Sequence, residues 1–221
     1  MDWIPLWLTL KLASLASAIL FALAIPLAFA LIHVRPWIRY PLQTLVNMPL
    51  VLPPTVIGFY LLLLYSPDHP PGSLLQDWFG VSLAFTFPGL VVGSAIFSLP
   101  FMVNPILSGL ENLPRSLADA SYALGATRWQ TFLLVQLPNI KPSLLAGWVL
   151  TFAHTVGEFG VVLMIGGKIP GKTKVASMAV YDEVEALNYG AAHAYALLLC
   201  LISFASLMAL FLLNRRIRHP V

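Results

Sequence analysis

Gly166-Gly-Lys-Ile-Pro-Gly-Lys-Thr173 fits the phosphate-cradling pattern G-x-x-x-x-G-K-T letter for letter. That pattern works where a strand enters the loop and a helix leaves it, so that successive backbone amides wrap a phosphate chain. Here a long apolar run enters, and a Gly/Pro turn is the better reading. Any nucleotide hydrolysis then belongs to another polypeptide. Just upstream stands Glu158, a carboxylate inside an otherwise uncharged apolar run, with His154 four residues before it. An ionisable group at membrane depth is costly and points to function. On one continuous helix the pair would share a face, one turn apart. Three uses compete for them. A metal site lacks a third ligand nearby in sequence. A lining for a solute path would repel an anion if the carboxylate carried charge. A hydrogen-bonded strut holding helices or a gate together fits best.

Two further segments offer neutral donors. Pro49-Leu-Val-Leu-Pro-Pro-Thr-Val56 places prolines, with Thr55, inside an apolar run, and Ser98-Leu-Pro-Phe101 places Ser98 and Pro100 in another. Proline removes an amide donor and interrupts a helix. Such interruptions are tolerated at membrane depth where protein or a water-filled cavity covers the freed backbone. Pro53, Pro54, Thr55, Ser98, Pro100, Gly157, Glu158 and Gly160 are the candidates for a translocation path or gate.

The elements that carry these residues follow from composition. The 221 residues are 59% hydrophobic and 10% charged, against about 25% charged in soluble domains. Mean hydropathy is +0.85. The twelve basic residues are scattered in short loops without a basic stripe, which excludes a nucleic-acid partner. The single cysteine, Cys200, rules out an internal disulfide. A helix needs about 20 apolar residues to cross the hydrocarbon core. Runs at 12–32, 45–65, 83–107, 144–165 and 191–213 satisfy this, and the whole of 1–221 reads as one all-α integral membrane domain. The first is too long for a signal-peptide core and is read as uncleaved. Arg35, Arg39, Arg115, Arg128, Lys141, Arg215, Arg216 and Arg218 fall on one side, against Lys11, Lys168, Lys172 and Lys174 on the other. The excess of positive charge marks the cytoplasm, so the N-terminus is expected outside and the C-terminus inside. Short outer helices are expected near Leu74–Trp78 and over Ser177–Ala186, the latter with Met178, Val180, Tyr181 and Val184 on its apolar face.

Between the third and fourth runs lies a polar stretch, Asp119–Pro138. Asp119–Leu124 suits a helix, and Gly125 supplies the left-handed residue that stops it. Thr127 with Gln130 three residues later predicts a capping box and a second helix, which Pro138 and Pro142 should end. Two short helices joined at a glycine make a compact knob shaped to press into a partner.

This stretch resembles the "EAA" loop of the membrane subunits of ABC importers: Glu-Ala-Ala, three residues, Gly, nine residues, Ile-x-Leu-Pro. Ala120, Gly125, Leu137 and Pro138 match in identity and spacing, while Asp119, Ser121 and Val135 replace Glu, Ala and Ile. The resemblance implies a coupling loop that docks into a separate ATPase, carried here by Asp119, Ala120, Ser121, Gly125, Ala126, Thr127, Arg128, Val135, Leu137 and Pro138. Gly157-Glu-Phe-Gly160, the turn Gly166–Gly171, the proline string at 49–56 and Ser98–Phe101 are similar to elements of molybdate- and sulfate-type permeases. The likeness runs from about Trp7 to Asn214 and is strongest to the molybdate branch. It implies a permease of the bacterial cytoplasmic (inner) membrane that is not itself an enzyme. Two copies would stand in lipid over two ATPase subunits, beneath an extracytoplasmic molybdate-binding protein. No cofactor or metal would be bound by this chain, since ATP and Mg belong to the ATPase. Tungstate, sulfate or thiosulfate are alternative solutes. An ATP-independent secondary transporter or channel is the alternative of a different class, and the inverted repeats such proteins often show are missing from the sequence.

Overall fold

The computed structural model describes residues 2–218. Met1 and residues 219–221 lie outside it, as do the side chains of Phe79 and of residues 215–218, among them the Arg215, Arg216 and Arg218 of the charge count. The described chain is helical throughout. Helix α1 (Ile4–His33) opens on Pro5, where the missing N–H costs no hydrogen bond. Its face with Ala13, Ala16, Ser17, Ala24 and Ala28 is fully buried. Between apolar helices in lipid, close packing rather than transfer from water drives association, and small residues allow it. Helix α5 (Phe87–Glu111) and helix α9 (Lys141–Val156) both pack on α1 and on each other, forming the centre.

Helices α2 (Pro36–Val51) and α3 (Pro54–Tyr65) meet at 113°. The cause is local. A residue before proline is pushed from helical to extended backbone. Leu52 precedes Pro53, and Pro53 precedes Pro54; their ψ angles are 138° and 136°. The expected single run at 45–65 is therefore a corner between two helices. The run at 144–165 is also divided: α9 ends at Val156, and α10 (Gly160–Gly166) continues at 60° to it. Thus α1, α5 and the last helix are long and apolar enough to cross a membrane, and the count reaches five if each bent pair is one crossing.

Short helices complete the ends of the long ones and build the knob. Helix α4 (Gly72–Phe79) lies where an outer helix was expected and ends at left-handed Gly80. Helix α5 starts four residues later than its apolar run because Thr86 caps it, its side chain accepting from Gly89 N at 3.3 Å. Helix α6 (Arg115–Ala123), α7 (Arg128–Thr131), a π-helical turn at Phe132–Gln136 and α8 (Leu137–Asn139) form the knob. Helix α11 (Ala176–Glu185) buries Ala176, Met178 and Ala179, whereas Tyr181 and Val184 of the expected apolar face are exposed. It is pinned to α1 by Thr9 Oγ1, which accepts from Ala176 N at 2.8 Å. Helix α12 (Tyr189–Arg218) lies at the periphery, with Leu201, Phe204 and Phe211 exposed, a surface suited to lipid.

Candidate functional site

The knob is built by two local hydrogen-bond motifs. At the end of α6, Gly125 N donates to Tyr122 O at 2.9 Å and Ala126 N to Ser121 O at 3.2 Å. This is the Schellman pattern, which needs a left-handed residue at its turn, and Gly125 has φ +84°. The capping box forms as expected: Gln130 N donates to Thr127 Oγ1 at 3.2 Å, and Thr127 N donates to Gln130 Oε1 at 2.9 Å. Buried Ser121 Oγ lies 2.9 Å from Thr131 Oγ1 and joins α6 to α7. Pro138 does not end the second helix. Its ring would clash with a carbonyl one turn back, and the chain widens into the π turn, closed by Leu137 N on Phe132 O, before running on to Asn139.

The knob sits on the end of α1. Phe132 is fully buried, its ring 5.2 Å from Phe29, and Trp129 stands edge-on to Phe29 at 4.7 Å. The far side stays open: Leu124 is 90% exposed and Leu134 75%. Asp119, Ala120, Thr127, Arg128 and Pro138 are exposed too, with Ala126, Val135 and Leu137 half-buried. Two bare leucines thus stand on a surface that also carries the exposed charges of Asp119 and Arg128.

The second site is a cleft of about 590 Å³ between the two helix breaks, lined by Pro54, Thr55, Phe97, Ala153, His154, Gly157, Glu158, Phe159 and Gly160. Gly160 lets α10 press against α3; a Cβ there would lie 2.7 Å from Pro54 Cβ. Glu158 occupies the break itself. It therefore does not share a helical face with His154, as continuous-helix spacing implied. Glu158 is 4% exposed, and neither carboxylate oxygen has a hydrogen-bond partner. Its backbone carbonyl accepts from Ser177 Oγ at 2.6 Å, which ties the break to α11. Among the described residues no group of three His, Cys, Asp or Glu side chains could hold a metal ion.

Ser98 does not offer its hydroxyl to the cleft. It is fully buried, 2.9 Å from His154 Nδ1 and 3.0 Å from Thr155 Oγ1. Pro100 is buried within α5, and neither it nor Pro53 lines the cleft. The cleft thus brings Pro54, Thr55, Gly157, Glu158 and Gly160 together, leaves Ser98 and Pro100 buried behind its walls, and leaves Pro53 exposed at the corner outside it.

Comparison with known proteins decides the class. Residues 10–219 match the family described as the binding-protein-dependent transport system inner membrane component. The chain belongs to this family. It is a transport subunit of an ABC transporter, a membrane permease and not an enzyme. A molybdenum transport system permease protein of Azotobacter vinelandii is 43% identical over 210 residues, covering 95% of this chain and 93% of that protein. The one from Escherichia coli (strain K12) is 36% identical over 219 residues, covering 96% and 92%. A sulfate transport system permease protein of Escherichia coli (strain K12) is 38% identical over 180 residues, covering 80% of this chain and 64% of that protein. Two solved structures share the fold. A bacterial ABC transporter importing the acidic polysaccharide alginate has a TM-score of 0.80 at 20% identity, covering 98% of this chain and 79% of that one. An inward-facing methionine ABC transporter has a TM-score of 0.75 at 20% identity, covering 97% and 98%.

In this permease the G-x-x-x-x-G-K-T segment is a self-closed turn. Helix α10 enters it where a phosphate loop needs a strand. Thr173 Oγ1, fully buried, donates to Gly166 O at 2.6 Å and accepts from Ile169 N at 3.0 Å. Lys168 pairs with Asp182 at 2.8 Å and Lys174 with the same carboxylate at 2.6 Å, so neither is a free attractant for anions. Sequence reading missed the other groups around the helix break: Ser94, a buried hydroxyl beside the Glu158 carboxylate, and Ser177. Serines in apolar runs were the available signal, but nothing in their spacing ties them to Glu158.

Proposed function

We propose that this permease carries molybdate into the cytoplasm as part of an ATP-driven importer, coupled to a separate ATPase through Asp119–Pro138. The observation that carries the reading is the knob: a Schellman turn at left-handed Gly125 and a reciprocal capping box at Thr127 and Gln130 fix its helices, with Leu124 and Leu134 left exposed. A flexible loop would dissipate a partner's movement, whereas a capped helix pair transmits it. Relatives described as molybdenum permeases support the solute, and they match nearly end to end. The sulfate permease relative supports a related oxyanion as second reading over a shorter stretch.

In this reading two copies span the inner membrane of a bacterium, N-termini outside and C-termini inside, each chain crossing five times. An extracytoplasmic molybdate-binding protein delivers the anion to a path between the copies. ATP binding draws the ATPase subunits and the two knobs together and opens the path outward; hydrolysis resets it. The permease converts the ATPase's state into a preference between two conformations of its own. Gly157, Glu158, Gly160, Pro54 and Thr55 belong to the region that opens, because both helix breaks meet there. The test is reconstitution with the co-purifying ATPase and binding protein loaded with molybdate, tungstate or sulfate. Molybdate should stimulate ATP hydrolysis and uptake most strongly. Failure of any ATPase to co-purify would overturn the coupling, and preference for sulfate would replace the solute.

A further inference from the structure

Helix α2 carries a polar stripe on an otherwise largely apolar helix. Only Val46 of its residues is buried, yet Arg39, Gln43 and Asn47 recur every four positions along one face. They form a ladder against α5. Arg39 pairs with Glu111. With the Gln43 amide oriented to satisfy both its ends, its oxygen accepts from Arg39 Nε and Nη2 at 3.3 Å. Asn47 Nδ2 donates to the Gln43 backbone carbonyl at 2.7 Å. Asn104 Nδ2 donates to Asn47 Oδ1, also at 2.7 Å.

The ladder has a chemical polarity. The side-chain oxygens of Gln43 and Asn47 are both engaged. A primary amide carries two N–H donors, so Asn47 keeps one spare, and Gln43, whose nitrogen end also meets an acceptor, keeps at most one. Gln43 and Asn47 line a cleft of about 530 Å³, together with Tyr40, Thr44, Met48, Val51 and Leu52. Spare amide donors facing hydrocarbon would each cost several kcal/mol. The cleft is therefore wet, and what it offers is hydrogen-bond donation without a free charge. That suits a transient anion: a fixed cation would hold it, whereas neutral donors let it leave. The position fits as well. Leu52 closes this cleft and Pro54 opens the one at Glu158, so the two adjoin at the α2–α3 corner. At the other end, Arg39 and Glu111 line a third cleft with Asp119 and Gln136 of the knob.

We propose that Gln43 and Asn47 form a donor station for a tetrahedral oxyanion on the permeation path, with Asn104 and Arg39 positioning them. The proposal rests on the function given above and extends it to named contacts.

The test uses the complete importer in liposomes with Cys200, exposed on α12, replaced by Ser. Gln43→Cys and Thr44→Cys should react with a membrane-impermeant thiosulfonate, and Leu201→Cys on the apolar surface should not. Gln43→Glu and Asn47→Asp should lower molybdate uptake about tenfold or more while stimulated ATP hydrolysis stays within roughly twofold, because a like charge repels the anion without touching the knob. Gln43→Met should lose less than Gln43→Glu. Unlabelled positions 43 and 44 in a transporting complex, or wild-type uptake in both acidic variants, would overturn the station. The labelling arm needs no activity, so it separates the station from misassembly. A wild-type complex that moves sulfate instead of molybdate changes the solute and leaves the station standing. One that moves no oxyanion overturns both.

Discussion

Ser98 Oγ lies 2.9 Å from His154 Nδ1, joining the middle of α5 to the last turn of α9 just before the chain breaks at Glu158. The ring is held further by Phe101, stacked at 4.0 Å. A hydroxyl that sequence reading offered to a passing anion instead fixes one wall of the cleft. Ser98→Ala removes the bond and leaves a half-buried ring nitrogen unpaired, at a cost of roughly 1–3 kcal/mol. Thermal unfolding of the purified complex should report the loss, and an unchanged midpoint would dismiss the strut.

Gly125→Val places a β-branched residue where φ is +84°, a conformation costing L-residues about 1–2 kcal/mol. A Cβ there meets no other atom within 4 Å, so strain alone is tested. Uptake should fall sharply and ATPase assembly weaken. Normal uptake with normal assembly would refute docking through this turn.

Gly160→Val drives a side chain into Pro54, whose Cβ lies 2.7 Å from the ideal Cβ position. Overpacking of this kind costs roughly 1–3 kcal/mol. Helices α3 and α10 should separate, giving lower thermal stability and leakage of small anions through the liposome membrane. A stable, tight variant would show that the contact is dispensable.

Glu158→Gln should leave assembly intact, because neither carboxylate oxygen has a partner to lose. Removing a potential buried charge relieves a desolvation cost. Thermal stability should hold or rise. Intact assembly with complete loss of uptake would assign the carboxylate a direct part in gating.

The turn at Gly166–Val175 is clamped electrostatically. Burial pushes the Asp182 carboxyl up, but hydrogen bonds and charge from Lys168 and Lys174 outweigh it and hold the group below the usual carboxylate range. Lys168 is held above the usual lysine range, first by its hydrogen bond to Asp182. A depressed acid stabilises above its unfolded value, about 3.9, and loses that as pH falls through the folded value; a raised lysine stabilises below about 10.4 and loses that as pH rises through its own. Protection of this turn from limited proteolysis should therefore be flat from about pH 5 to 9, decline in stronger acid and strong base, and drop across the plateau in Asp182→Asn. A variant as protected as wild type would show that the clamp contributes nothing.

What could be read from sequence was local. The Schellman turn at Gly125 and the box at Thr127–Gln130 close over three to five residues, so their residue types specify them. The prolines at 53 and 54 announced an interruption, but the 113° angle depends on how α3 packs against α10. Nothing in Gly157-Glu-Phe-Gly160 distinguishes a helix break from a glycine-flanked turn of helix, so Glu158 was expected inside one. Pro138 read as a stop because a π turn has no residue signature of its own. Asn47 and Asn104 lie far apart in sequence, and their pairing appears only once α2 crosses α5.

The contact between Gly160 and Pro54 also bears on how the chain is made. The corner at Leu52–Pro54 leaves the ribosome about a hundred residues before the segment that covers it, and elongation at about 5–20 residues per second leaves it uncovered for seconds. During that interval its freed carbonyls need water or another protein beside them. The corner thus stays uncovered until Gly160 is made, and slower elongation prolongs that exposure.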